Sequence, residues 1–366
     1  MVDLSRFELQ WFGNLVTLRL WNDLWLNEGL STYMSYLGMQ MMNDTWNMEN
    51  EFMARMTSMN CEYVKTYPPL AHPVLVPDET EFNCMVYAKG AAFVYMLRNV
   101  LGDDNFNSGI KKYLERNKYG TVVTDDLWQA LSNDNIDVKF LMDTWMRNIR
   151  YPVVTISRQG SQVNISQSRY ISNNSSRNLG SHSTDRWIIP FIYGILDPKG
   201  NFTSNMTLLQ EKSDTIEIRF NDRLLKGNYG NSGYYRVNYD KETWKAIVEE
   251  LTIDHQVFPI RDRAQLIDDV ISFARSGLLN VTVAVEITKY LENESDYLPW
   301  FIAISSLKLS DHHENDENFA EFRIQFFNVS KKKLEEMGCD ERGNFSTLRL
   351  RKMLKEFTKI CPVDIS

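Results

Sequence analysis

Apolar positions in the first 150 residues recur at helical spacing, and the period changes twice further along the chain. Residues 24–38 carry one amphipathic stretch, with Asn22 or Asp23 placed to cap its start. Residues 45–67 carry a second, ended by Pro68-Pro69. The proline-rich stretch 67–81 predicts a loop. Residues 85–101 predict a helix stopped by Gly102, with further helices over 104–117, 127–131 and 140–147. At Tyr151-Pro152 the period shortens. Residues 153–157, 187–195, 215–220 and 234–239 predict strands separated by Gly and Asn clusters. The Asn/Ser-rich stretch 172–183 predicts a solvated loop. From Lys241 the helical period returns, over 243–251, 263–276, 281–291, 297–309 and 347–360. Such helix pairs need neighbours to bury their apolar faces, as in a solenoid. The pattern predicts a multidomain α+β chain: a helical part over 1–150, a small β-sandwich over 151–240, and the start of an α-helical solenoid over 241–366.

At 366 residues the chain is long enough for two or three domains with proper cores. Its 43% hydrophobic and 24% charged content is ordinary for a globular protein. A formal net charge of −8 leaves no basic surplus to neutralise phosphates, which argues against a nucleic-acid partner. No apolar run approaches the ~18 residues of a membrane span, and Met1-Val2-Asp3-Leu4-Ser5 lacks the basic start and apolar core of a signal peptide. Yet N-x-[ST] acceptor patterns occur at Asn43, Asn164, Asn173, Asn174, Asn201, Asn205, Asn280, Asn293, Asn328 and Asn344. Together they favour a glycosylated secreted or cell-surface ectodomain. Both observations fit if the true amino terminus lies upstream, so the chain reads as a piece of a longer protein. Any membrane attachment is then through an anchor that this piece does not contain. Four cysteines are too few for a disulfide scaffold of this size. Cys61 and Cys84 read as buried thiols. Cys339 and Cys361 are close enough in sequence to pair, but spacing alone does not decide it.

The densest signature is Gln10-Trp11-Phe12-Gly13-Asn14-Leu15-Val16-Thr17, followed by Trp21-Asn22-Asp23-Leu24-Trp25-Leu26-Asn27-Glu28-Gly29. It resembles the zinc aminopeptidases of the aminopeptidase N family, a gluzincin group. There a helix carrying H-E-x-x-H runs into Q-W-F-G-N, and a later helix supplies a Glu as third zinc ligand. Glu28 stands at that third-ligand position. Two His at i and i+4 share a helix face and can reach one tetrahedral zinc, with the Glu between them as general base. Here, without gaps, the two His positions fall on Ser5 and Leu9, and the base on Arg6. A two-residue deletion before Gln10 instead puts Glu8 at the base and Phe7 at the first His. Neither alignment restores an imidazole, so zinc is implied for the family and not expected on this chain.

Further markers follow in family order. Tyr87-Ala88-Lys89-Gly90 matches Y-x-K-G, whose Tyr hydroxyl stabilises the oxyanion of the tetrahedral intermediate. Tyr151-Pro152-Val153-Val154 resembles the junction into the β-sandwich, and 233–240 the boundary to the solenoid. Residues 263–269 and 297–300 resemble its first helices. The resemblance implies a partial thermolysin-like catalytic domain, a β-sandwich and a HEAT-like helical domain. The family's G-x-M-E-N segment, which grips the substrate's amino terminus, is absent.

The implied family activity is hydrolytic removal of amino-terminal residues from peptides, with Tyr87 as oxyanion donor, Glu8 as vestigial base and Glu28 as metal ligand. The chain as written is expected to be inactive. The alternative from another class is a non-catalytic ectodomain that binds peptides or a protein partner. Asp23 reads as a helix cap, and Trp11, Trp21 and Trp25 read as core. None of His72, His182, His255, His312 and His313 replaces the absent pair by spacing. His312-His313-Glu314 with Asp316 and Glu317 reads as an acidic loop.

Overall fold

The computed structural model describes residues 10–43, 46–55, 59, 62, 69–70, 83–171, 186–308, 317–340 and 342–360. A π-helical turn, Gln10–Leu15, is interrupted at Phe12 and Gly13 and buries Phe12. Beyond it, β1 (Thr17–Leu18) pairs in parallel with β2 (Thr121–Val122). A short 3₁₀ turn, Trp21–Asp23, leads into α1 (Leu24–Met42). Asp23 occupies the N-cap position of α1 but makes no capping bond there. Its Oδ1 instead accepts from Thr124 Oγ1 at 2.6 Å and Thr124 N at 3.3 Å. The capping expectation is therefore corrected: the carboxylate ties α1 to a segment a hundred residues on in the chain. The tryptophans also divide. Trp25 is 1% exposed and stacks on Trp128 with centroids 5.4 Å apart, whereas Trp11 and Trp21 are 53% and 46% exposed and are not core.

Of the stretch expected to be helical over 45–67, the structure gives α2 (Met48–Arg55). The expected helix over 85–101 is two pieces, a π-helical turn Met85–Lys89 and α3 (Gly90–Leu101). Helix α3 is buried through its first two turns, where Phe93, Val94, Met96 and Leu97 are each at most 1% exposed, while Asn99 near its end is exposed. Each such apolar side chain contributes about 1.5–3 kcal/mol on burial. Gly102, at φ +77, ends it. Three helices complete this part: α4 (Asp103–Asn117), α5 (Thr124–Leu131) and α6 (Val138–Arg147), the last capped by Asp137 accepting from Phe140 N at 3.0 Å.

Two small sheets follow. One holds β3 (Pro152–Gln159), β4 (Gln162–Arg169), β7 (Ser213–Glu217) and β9 (Arg236–Tyr239), in the order β7-β4-β3-β9, with β9 parallel to β3. The other holds β5 (Ile189–Leu196), β6 (Phe202–Leu209) and β8 (Leu224–Gly227), in the order β6-β5-β8. The sheets approach at Gly227, where an added Cβ would lie 2.8 Å from Ile156 Cδ1 and 3.1 Å from Phe191 Cε2.

The remaining helices are α7 (Lys241–Asp254), α8 (Ile260–Ser276), α9 (Val281–Thr288), α10 (Tyr297–Lys308), α11 (Glu317–Met337) and α12 (Phe345–Thr358). Helix α8 is bound to the sheets through buried charge. Arg236 Nη1 on β9 lies 2.7 Å from Asp268 and 2.9 Å from Asp269, and Lys226 on β8 lies 3.1 Å from Asp262. The Arg236 guanidinium also sits 5.7 Å from both the Tyr151 and Tyr170 ring centroids, which stack on each other. Among the described residues, no helix is long and apolar enough to cross a membrane. Cys84 is not in a disulfide and Cys339 is disulfide-bonded, while Cys61 and Cys361 lie outside the described residues.

Candidate functional site

Helices α1 and α3 touch where Gly29 faces Gly90. A Cβ at Gly29 would lie 2.7 Å from the Gly90 carbonyl carbon and 2.8 Å from its Cα, so no side chain fits there. This backbone-to-backbone approach brings together the segments that precede the two glycines. Glu28 immediately precedes Gly29, and Tyr87 lies three residues before Gly90 on the π-helical turn that enters α3. The Tyr87 hydroxyl and the Glu28 carboxylate lie close enough to shift each other's titration, and both side chains are half-buried. Burial raises the Glu28 carboxyl above its ordinary range, partly offset by the Tyr87 hydroxyl. Burial also raises the Tyr87 phenol, helped by the Glu28 carboxylate.

The turn beneath Tyr87 is anchored by Lys89. Its side chain is 2% exposed, with Nζ 3.0 Å from Glu62 Oε1 and donating to the Arg150 carbonyl at 3.1 Å. The ammonium lies 5.7 Å from the Phe93 ring centroid and 5.5 Å from that of Tyr234. Tyr234 donates its hydroxyl to Glu62 at 2.9 Å, and Arg150 donates to the Glu62 carbonyl at 2.9 Å. Two buried charges are thus paired and hydrogen-bonded, the condition for tolerating them in a core. At the start of α1, Trp25 Nε1 donates to Thr124 Oγ1 at 3.0 Å, while that hydroxyl donates to Asp23. Sequence reasoning found Glu28 and Tyr87 but not Glu62, which it placed inside an expected amphipathic helix where a Glu carries no special signal.

A carboxylate and a phenol offer only oxygen donors, and among the described residues no three His, Cys, Asp or Glu side chains converge to hold a metal. The chain's first histidine is His72, and it lies outside the described residues with His182, His312, His313 and the acids Glu314 and Asp316. Glu8 also lies outside them. His255, the described histidine, sits 4.0 Å from Glu294 and against the Tyr290 ring at 5.6 Å, at the junction of α7 and α8. A catalytic zinc site takes three protein ligands and a water. The donors assembled around Glu28 do not fit one. What the pair can do unaided is bind a polar backbone: the carboxylate accepts from an N–H, and the hydroxyl donates to a C=O.

Residues 7–145 match the peptidase family M1 domain, and residues 224–358 match the ERAP1-like C-terminal domain. Glutamyl aminopeptidase of Bos taurus is 33% identical over 356 residues, covering 93% of this chain and 36% of that protein. The thyrotropin-releasing hormone-degrading ectoenzyme of Mus musculus is 32% identical over 339 residues, covering 86% and 32%. Aminopeptidase A of Gloydius brevicauda is 30% identical over 371 residues, covering 97% and 38%. The chain thus spans roughly a third of the length of the curated relatives it matches. With residues 7–145 and 224–358 matched by these two domains and at least 86% of the chain aligned to each of these relatives, the chain belongs to the M1 family of peptidases.

Proposed function

We propose that this chain is an aminopeptidase scaffold that does not hydrolyse peptides itself, and that its ligand class is peptides. The observation that carries the reading is the Glu28–Tyr87 pair, held in place by Gly29 against Gly90 in a chain whose first histidine is His72. The family relationship and the names of the relatives support peptides as the ligand class. Hydrolysis needs an activated water. Zinc lowers the pKa of bound water from about 15.7 to about 7, and at about 1.4 kcal/mol per unit that is on the order of 12 kcal/mol. A single oxyanion donor such as Tyr87 is worth about 3–4 kcal/mol. It cannot make up the difference.

A second reading from another class rests on the same contact. In a non-catalytic ectodomain, Glu28 accepts an N–H and Tyr87 donates to a carbonyl, holding one peptide unit of a ligand or partner protein. The many N-x-[ST] patterns and the ectoenzyme relative support an extracellular or cell-surface location for the protein to which this chain belongs.

The test is the purified chain with peptide substrates and added zinc, with and without a chelator. No chelator-sensitive release of amino-terminal residues is expected. Peptide binding that weakens in Tyr87→Phe favours the ectodomain reading. Chelator-sensitive release by the unmodified chain refutes the proposal.

A further inference from the structure

The N-x-[ST] patterns are not used by the peptide-binding reading, and the fold sorts them. Asn201 closes a turn through its backbone, its N–H donating to Asp197 Oδ1 at 2.9 Å, and the Asn205 amide donates to the Thr203 carbonyl at 3.5 Å. Asn164 lies inside β4, which is paired on both sides. Asn328 lies inside α11, and the Ser330 hydroxyl of its pattern is fully buried, donating to the Phe326 carbonyl at 2.8 Å. In the Asn293 pattern the middle residue, Glu294, is buried and paired with Arg263 at 3.2 Å.

Asn280 and Asn344 are exposed like these but differ in standing just before a helix, α9 and α12. Each carbonyl oxygen is engaged: Asn280 Oδ1 accepts from Thr282 N at 2.9 Å, and Asn344 Oδ1 accepts from Thr347 N at 2.9 Å and Thr347 Oγ1 at 3.0 Å. Anchoring Oδ1 fixes the side chain and leaves Nδ2 with no acceptor among the described residues. N-glycosylation uses Nδ2 and spares Oδ1, so the cap and the glycan are compatible. Both asparagines also border open grooves. Asn280 lines one of about 660 Å³ with Val285, Phe319 and Phe322, and Asn344 lines one of about 390 Å³ with Trp46, Tyr297 and Phe345.

We infer that Asn280 and Asn344 are N-glycan attachment sites, each placing its first sugar at the mouth of an aromatic-lined groove. The donor is an oligosaccharide on a polyisoprenyl diphosphate. The sugar C1–O bond to the diphosphate breaks, a C1–Nδ2 bond forms, the amide nitrogen gives up one proton, and the diphosphate leaves. The inference rests on the extracellular reading above.

The test is secretion of the chain from a eukaryotic host, followed by peptide mapping after enzymatic deglycosylation in heavy-oxygen water. Heavy-oxygen aspartate is expected at positions 280 and 344. Thr282→Ala and Ser346→Ala remove the acceptor patterns while keeping both capping asparagines, and each is expected to lose one glycan with no change in melting temperature. Glycan at other patterns but not at these two overturns the inference and leaves the extracellular reading standing. Glycan at no pattern in a secreted chain overturns both.

Discussion

Gly29 and Gly90 stand backbone against backbone, and an added Cβ on Gly29 would meet the Gly90 carbonyl carbon at 2.7 Å. From the other side the approach is looser, since a Cβ on Gly90 would meet Gly29 Cα at 3.1 Å. Across this contact Glu28 and Tyr87, on separate helices, lie close enough to shift each other's titration.

Gly29→Ala is therefore expected to force α1 and α3 apart, at a loss of about 1–3 kcal/mol. Gly90→Ala is expected to lose less. Thermal unfolding of the two variants ranks them, and an unchanged melting temperature for Gly29→Ala contradicts the close approach.

Removing the Glu28 charge by Glu28→Gln is expected to lower the Tyr87 pKa. It should stay above the ordinary phenol value, because burial is the larger cause and remains. Spectrophotometric titration isolates this group as the difference between each protein and its Tyr87→Phe counterpart. A Tyr87 pKa that is the same with and without the carboxylate contradicts the proximity of the two groups.

The Lys89–Glu62 pair supports a different kind of test, because both members are buried. Lys89→Met leaves the Glu62 charge uncompensated and is expected to lose about 3–5 kcal/mol, as is Glu62→Gln for the stranded ammonium. The double variant is expected to lose clearly less than the sum, which urea unfolding of all four proteins measures. Additive losses contradict a direct pairing.

Much of the fold was legible because long helices announce themselves by period. Residues 24–38 were expected to be helical and α1 runs Leu24–Met42; residues 263–276 were expected and α8 runs Ile260–Ser276. The misses have physical causes. Strand β8 is buried at all four positions, so it shows no alternation, and β6 is an exposed edge with no apolar face to read. Helix α11 was hidden by its approach through an acidic stretch, although Phe319, Phe322 and Phe326 lie on one buried face. At the site, motif spacing identified Glu28 and Tyr87. The Gly29–Gly90 contact and the Lys89–Glu62 pair join segments distant in sequence, which no local period encodes.

Asp269 gives the chain an acid-side pH dependence. Burial lifts its carboxyl to about 6 despite the adjacent Arg236 guanidinium, against about 3.9 in the unfolded chain. A raised folded-state pKa contributes stability that is complete below about pH 4 and is lost as pH rises through about 6. For this one group the change is on the order of 1–3 kcal/mol. The stability gap between the unmodified chain and Asp269→Asn is therefore expected to be widest near pH 4 and to narrow by about pH 7. Urea midpoints across that range measure it, and a gap that widens with pH contradicts the assignment.

Zinc stoichiometry tests the central claim most directly. The pure chain, dialysed against excess zinc and then against metal-free buffer, is to be assayed for metal per polypeptide. A value close to zero is expected, because Glu28 and Tyr87 offer only oxygen donors and, among the described residues, no three His, Cys, Asp or Glu side chains converge to hold a metal. One tightly held zinc per chain, lost in Glu28→Gln, contradicts the account.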